Sequence, residues 1–478
     1  MRRTKIVCTI GPATRDPEML KQLMKAGMDV ARLNFAHGSY AIHAENVERI
    51  RSAAAAVNKP VAIQVDLQGP KLRIGAVLES GIPLEAEREV TLTTEDIVGE
   101  SPAAIPVKNE AFPEFVEPGD HILIDDGAIE LGVVAVQGPQ VRCKVLVGNT
   151  LKSNKGINLP GVAVDLPAIT DKDRKDLARA LEWEVDWVAL SFVRSADDLR
   201  ELKGLIRSRH GSEAAVPVIA KIEKPQALDN IEEIIQFADA VMVARGDLGI
   251  EIAPEKVPVA QKHIIRLCNR RGLPAITATQ MLESMVRNPR PTRAEASDVA
   301  NAIWDGTDAV MLSAETSIGA YPLEAVRTMD RIARETELQP TRSDIQPFEA
   351  SEHDLDLSIA DAVGRAAREA ADDLKATAII TPTVSGYTAT IMSRYRPYSP
   401  IVAITPDPRV QRRLMLYWGV TPMLGPRTDN TDEIIAHAIE AARERGLVQK
   451  GDVLVITGAT AASQPGTTNL MRVHVVQR

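Results

Sequence analysis

Lys221 and Glu223 stand two residues apart, as do Arg245 and Asp247, and each pair follows a short apolar run, residues 216–220 and 240–244. Runs of that kind, ended by charge, read as buried parallel strands. Residues 227–237 between them carry the apolar spacing of a helix. The unit is strand–helix–strand, with its polar groups gathered where both strands end. An ammonium, a guanidinium and two carboxylates at one edge of a parallel sheet suit a magnesium-assisted reaction on an anionic substrate. The same four residues also fit two surface salt bridges, so the reading turns on what else reaches that edge.

The elements needed to position them recur along the chain. Strand-like runs fall at residues 4–10, 29–33, 60–65, 185–190, 216–220, 240–244, 274–278 and 308–312, with helical segments between them. One helix has Asp16 as N-cap, Pro17 at its first position and Gly27 at its end, and another opens with the capping-box pair Thr292 and Glu295 and closes near Gly306. Eight strands alternating with helices predict a (β/α)8 TIM barrel, formed by residues 1–70 and 167–338. Their combined length is close to the roughly 250 residues of such a barrel. A doubly wound open sheet is the competing architecture, but no glycine fingerprint follows the first strand.

Residues 71–166 are too long for a βα loop and alternate with period two, as in REVTLTT and VRCKVLV. They predict a small inserted β-barrel-like domain at the catalytic end, where a lid would exclude water. Residues 339–354 are polar and proline-containing, a linker. Residues 355–478 alternate helix and strand again and predict a C-terminal α/β regulatory domain.

In a barrel, function gathers at the carboxyl ends of the strands. Those ends carry Arg32 and Asn34, Asp66, Ser191, Lys221 and Glu223, Arg245 and Asp247, Thr279, and Ser313 with Glu315. Any one of these alone fits an N-cap or a loop salt bridge; seven strands delivering polar groups to one face is a pattern. Glu223 and Asp247 are suited to one Mg²⁺, with Mn²⁺ as a substitute, leaving positions open for substrate oxygens. Lys221 is suited to a developing oxyanion or a moving phosphoryl group. Arg32 and Arg73 offer planar forks for phosphate, and Thr279, before QMLESM, reads as a helix cap that favours anions. One divalent site, one lysine and several arginines fit phosphoryl transfer. Neither a Walker A loop nor a kinase glycine-rich loop is present.

Composition sets the outer bounds. Of 478 residues, 45% are apolar and 25% charged, the balance of a globular protein of two or three domains. A net charge of −9 argues against nucleic acid or an anionic membrane as the main partner. Cys8, Cys143 and Cys268 are far apart and read as buried thiols of a reducing compartment. With no long apolar run or signal peptide, cytoplasm is the expected location.

The motifs RLNFAHG, GPKLR, LPAITDKD, AKIEKP, MVARGDLG, TATQMLESM, PTRAEASDVANA and MLSAET, in this order, resemble those of the pyruvate kinase family, and the likeness runs essentially end to end. The resemblance implies transfer of the phosphoryl group of phosphoenolpyruvate to ADP, the last step of glycolysis, in a cytoplasmic homotetramer. It implies Mg²⁺ on Glu223 and Asp247, and Lys221 at the transferring group and enolate. Thr279 lies near the carbon to be protonated, Arg32 meets substrate phosphate, and the backbone of Ala244, Arg245, Gly246 and Asp247 approaches the substrate carboxylate. Ser313 joins the substrate positions. Asn34, His37, Arg73 and Lys172 match positions toward the nucleotide.

Members that need K⁺ carry a serine where this chain has Ala36, a Thr-Lys pair where it has Leu67 and Gln68, and a glutamate where it has Lys71. Asn34 and Asp66 remain of the K⁺ positions. A lysine ammonium from residue 71 could supply the charge K⁺ otherwise supplies, so K⁺-independent activity is expected. In the C-terminal domain, TPTVSGYTA places Thr381, Ser385, Gly386 and Thr388 at a strand end and helix start suited to phosphate, and residues 458–469 form a loop suited to closing over it. The resemblance implies a phosphorylated effector, a sugar phosphate or AMP. Two other readings stay open: a Mg²⁺-dependent barrel aldolase working through an enolate, which has no use for the inserted domain, and a catalytically silent sensor of phosphorylated metabolites.

Overall fold

In the computed structural model, residues 2–162, 164, 166–210, 215–338, 358–427, 430–459 and 467–477 are described. Eight parallel strands close a barrel: β1 (Lys5–Thr9), β2 (Val30–Asn34), β3 (Ala62–Asp66), β4 (Trp187–Leu190), β5 (Val218–Ile222), β6 (Ala240–Ala244), β7 (Ala275–Ala278) and β8 (Ala309–Leu312). Each pairs with its neighbours in sequence order, and β8 returns to β1. The period of two sorts their side chains. Val7, Val30, Ala62, Ile219, Met242, Ile276 and Met311 fill the barrel, while Ile6, Cys8, Leu33, Ile63 and Val243 pack outward among the helices.

The barrel helices begin where side-chain chemistry starts them. Asp16 accepts from the amides of Glu18 and Met19 to open Pro17–Ala26, which Gly27 ends at φ 134°. Thr292 and Glu295 form the expected capping box at the head of Arg293–Trp304. Two expectations are corrected. β5 runs to Ile222 rather than ending at Ala220, so Lys221 lies inside the strand. The expected helix over 227–237 is two helices, Pro225–Asp229 and Ile231–Phe237, broken at Asn230.

Between β3 and β4 the chain forms a six-stranded sheet of mostly antiparallel pairs, running from Glu89–Thr93 to Ile157–Asn158, over its own apolar core around Phe112. The C-terminal region is a five-stranded sheet. Its strands are β9 (Ala378–Pro382), β10 (Ile401–Thr405), β11 (Val420–Leu424), β12 (Val453–Gly458) and β13 (Leu470–Val475), ordered β11-β10-β9-β12-β13. Only β13 is antiparallel to its neighbour. The linker expected at 339–354 lies outside the described residues. No helix among those described is long and apolar enough to cross a membrane.

The C-terminal region docks on the amino end of the barrel. Met415 and Leu416 pack into the cluster that fills the barrel interior. Lys5 Nζ donates to the Val420 carbonyl at 2.6 Å, and Arg396 pairs with Asp308 at 3.0 Å. The carboxyl end of the barrel is thereby left for the site.

Candidate active site

Lys221 is the centre of a buried charge network. Its position near the end of β5, turned toward the barrel axis, brings Nζ to 2.8 Å from Glu223 Oε1, 2.8 Å from Ser191 Oγ and 3.7 Å from Asp66 Oδ2. Burial disfavours the ammonium, but Glu223 and Asp66 outweigh it and hold the Lys221 pKa above the ordinary lysine value. The residue is therefore a fixed cation. Asp66 is equally confined: Oδ2 takes Arg32 Nε at 2.8 Å, and Oδ1 takes Gln64 Nε2 at 2.7 Å. Arg32 also donates to Thr9 Oγ1 at 3.0 Å.

The two carboxylates expected to hold a metal behave differently. Glu223 is fully buried, and Oε2 accepts from the Phe192 amide at 2.8 Å. Burial raises its pKa, with Lys221 pulling the other way. Oε1 makes the ion pair with Lys221 but has no aligned hydrogen-bond partner among the described residues, which leaves it an acceptor lone pair there. Asp247 takes Lys71 Nζ at 2.9 Å. Burial would raise its pKa, but Lys71 and Lys221 prevail and lower it. Two anionic oxygens sites of this kind fit a hard divalent cation that draws its remaining ligands from substrate and water. No cluster of three or more His, Cys, Asp or Glu suited to a metal occurs among the described residues.

Thr279 corrects another expectation. It caps no helix: the next helical turn is Glu283–Val286, capped by Leu282. Thr279 and Gln280 instead take left-handed backbone, φ 69° and 55°, an uncommon conformation for a β-branched residue. That turn points Oγ1 at the Gly246 amide, 2.7 Å away, and so ties the ends of β6 and β7 together. Arg245, expected to face the substrate, has its guanidinium committed to Asp298 at 2.7 Å and to the Thr279 carbonyl at 2.8 Å. Its backbone stays beside Ala244, Gly246 and Asp247 at the mouth.

The remaining candidates are more dispersed. Asn34 Oδ1 accepts from the Ala36 amide at 3.1 Å, which commits one side of it to its own loop. His37 has an exposed surface but a ring partly shielded by its surroundings, and that shielding together with Arg73, Arg32 and Lys71 lowers its pKa. Arg73 donates to the Asn154 carbonyl at 3.0 Å within the inserted domain. Lys172 spans from the Phe35 carbonyl (2.8 Å) to Asp176 (2.6 Å). Ser313 Oγ is buried with no hydrogen-bond partner among the described residues, and Glu315 Oε2 accepts from the Ser313 amide. Gln64 and Thr9 were absent from the sequence reading. A buried amide inside the apolar run 60–65 was the signal for the first; nothing in the sequence marks the second.

In the C-terminal region Thr381 is fully buried in β9, with its hydroxyl on the Val402 carbonyl at 3.5 Å, so it does not face the loop. Gly386, at φ 89°, starts the helix Tyr387–Arg394, Ser385 is exposed, and Thr388 Oγ1 meets Thr468 Oγ1 at 2.9 Å. Residues 460–466 of the expected closing loop lie outside the described residues.

Comparison with known proteins identifies the family of the chain. Residues 1–326 match the family model described as pyruvate kinase, barrel domain, and residues 361–474 the one described as pyruvate kinase, alpha/beta domain. A pyruvate kinase of Geobacillus stearothermophilus is 47% identical over 99% of this chain and 80% of its own length. One from Staphylococcus aureus is 45% identical over 100% of this chain and 81% of its own. The crystal structure of a pyruvate kinase from Cryptosporidium parvum superposes with a TM-score of 0.90 at 37% identity, covering 99% of this chain and 96% of that one. Family models covering nearly all of the chain, full-length relatives and a shared three-part fold agree, and the chain belongs to the pyruvate kinase family.

Proposed function

We propose that the mouth of the barrel performs the family's reaction through the residues just described. A β-phosphate oxygen of ADP bonds to phosphorus as the enol P–O bond of phosphoenolpyruvate breaks. The electron pair goes to the enol oxygen, and the enolate takes a proton at carbon to give pyruvate. The observation that carries this reading is Lys221, buried and held charged among Glu223, Asp66 and Ser191. Its ammonium needs no reorganisation to meet the charge that develops on the phosphoryl and enolate oxygens. Arg32, oriented by Asp66 and Thr9, presents a fork to phosphate. Thr279, whose Oγ1 accepts from the Gly246 amide and donates to the Ala278 carbonyl, takes the side of the carbon to be protonated in this reading. Glu223 and Asp247 would hold Mg²⁺ or Mn²⁺, which when bound would supply further positive charge near the substrate oxygens. His37, Arg73, Lys172 and Asn34 form the nucleotide side, and Ser313 the substrate side.

K⁺ is dispensable in this proposal. Lys71 Nζ lies 2.9 Å from Asp247, so an ammonium already occupies the mouth where other family members place a glutamate. The same reading divides the chain at 70, 166, 338 and 354. Lys71 opens the inserted domain, and Asn158 near its end bonds Glu251 at 2.8 Å, so a lid formed by residues 71–166 would bridge onto the barrel. The C-terminal domain takes a phosphorylated effector near Ser385, Gly386 and Thr388, and the assembly is a cytoplasmic homotetramer; family likeness supports both.

The deciding assay is ATP formation from phosphoenolpyruvate and ADP with Mg²⁺, in sodium- and potassium-free buffer and again with K⁺. Equal rates are expected. Lys71→Glu is expected to create K⁺ dependence. A rate that needs K⁺ in the unsubstituted protein, or a variant indifferent to K⁺, removes the Lys71 argument. No ATP under either condition returns the aldolase and sensor readings.

A further inference from the structure

A cavity of about 320 Å³ opens between the barrel and the C-terminal domain, at the end of the barrel opposite the catalytic mouth. Its barrel wall is built from Trp187 at the start of β4, Lys203 and Arg207 on the helix Ala196–His210, and Asp239 just before β6. Ser385, Arg413 and Tyr417 form the facing wall. Three cations therefore face one carboxylate, and Asp239 is already engaged: it takes Lys203 Nζ at 2.8 Å and the Val218 amide at 2.8 Å. Arg207 and Arg413 have no ion-pair partner among the described residues.

Two buried donors in this wall also lack acceptors. Among the described residues neither Trp187 Nε1 nor Arg413 Nε has a hydrogen-bond partner, and Trp187 is only 1% exposed. Burial lowers the Arg413 pKa, with Asp186 opposing. A half-buried guanidinium without a carboxylate is costly, and so is a buried N–H without an acceptor. Both atoms are closed to solvent, so what an anion rich in acceptor oxygens would relieve is the unpaired charge of the Arg413 guanidinium, through its terminal nitrogens. The planar fork of arginine suits phosphate. The volume exceeds that of a bare phosphate and lies in the range of small-molecule sites. The rings of Trp187 and Tyr417, 6.4 Å apart, give the organic part an apolar surface.

We propose that this interdomain cavity binds a small phosphate monoester, clamped between Arg413 of the C-terminal domain and Arg207 of the barrel. The site is separate from the effector position proposed above, of which it shares only Ser385. It also adjoins the joint between domains. Arg412, next to Arg413, bonds Asp186, next to Trp187, at 2.7 Å. A ligand held by both walls therefore tightens the docking of the two domains.

The test uses the full chain, with tryptophan fluorescence and thermal shift in inorganic phosphate, fructose 6-phosphate, and fructose as the uncharged control. Saturable binding of fructose 6-phosphate with a rise in Tm is expected, and none with fructose. Arg413→Met is expected to weaken binding by about tenfold or more. Arg207→Met, a change at an exposed position that leaves the fold intact, should weaken it in the same direction. Both variants should keep the kcat of the unliganded enzyme, and Thr388→Val should bind normally. Four outcomes would overturn the proposal: no saturable binding of either phosphate compound, equal binding of fructose, undiminished binding in both arginine variants, or loss confined to Thr388→Val.

Discussion

At the scale of single residues, the site depends on one cation that burial alone would neutralise. Lys221 stays charged because Glu223, Asp66 and Ser191 converge on it, and each is fixed by a second contact. Removing the ammonium while keeping the stem, as in Lys221→Met, should lower kcat by about 10²–10³-fold, the usual loss for one preorganised group at a developing oxyanion. The KM for phosphoenolpyruvate should change far less. Steady-state kinetics separate the two, and a pure KM effect would reassign Lys221 to ground-state binding. The types and spacing of Lys221, Glu223 and Asp247 were legible because strand ends in a barrel all point one way. What sequence spacing could not convey was direction. Arg245 sits at the right place, yet its guanidinium turns to Asp298. Gln64 lies inside a strand and reaches the site only through Asp66.

At the scale of elements, period two made the order of the eight strands readable, while the strand ends were not. β5 extends two residues beyond Ala220 because Lys221 is buried and paired, and so behaves as an inward-facing strand residue. The turn after β7 escaped prediction because two consecutive non-glycine residues with positive φ leave no mark in composition. The strand β1 shows how charge also secures an element. Asp29, just before β2, holds Arg2 at 2.8 Å, Lys59 at 3.2 Å and the Ile6 amide at 3.0 Å. Burial would raise its pKa, but Arg2, Lys59 and Lys5 overcome that and set it well below the ordinary 3.8. As pH falls, the unfolded chain therefore takes up this proton before the folded one. The stabilisation from Asp29 is complete above about pH 4 and drains as the pH drops further. Asp29→Asn should accordingly lie well below the parent in urea midpoint at pH 7, and the gap should close in acid. A gap that does not depend on pH would mean that the carboxylate charge is not what matters.

The whole molecule is arranged along the barrel axis, with chemistry at one end and the C-terminal domain at the other. Strands of four or five residues separate the two ends by about 15 Å. The barrel interior is an ordinary packed core at its amino end, except that its last layer comes from a different domain: Leu416 is fully buried there, beside Met415. The pattern of alternating elements announced a separate C-terminal unit. It gave no hint that the unit plugs the barrel, because nothing in residue type sets Met415 and Leu416 apart from the apolar residues around them. Leu416→Ala should cost about 2–5 kcal/mol, the range for truncating a buried leucine. Since the missing side chain is carried by the C-terminal domain but buried in the cluster that fills the barrel, its loss should weaken the barrel core and the docking of the C-terminal sheet together. The KM for phosphoenolpyruvate should hold, because no catalytic group touches that layer. Unfolding followed separately by tryptophan fluorescence and by proteolysis of the C-terminal domain tests this. Coincident shifts mean that the two domains share one core, whereas a C-terminal domain that melts early over an unchanged barrel would make Leu416 a contact of docking alone.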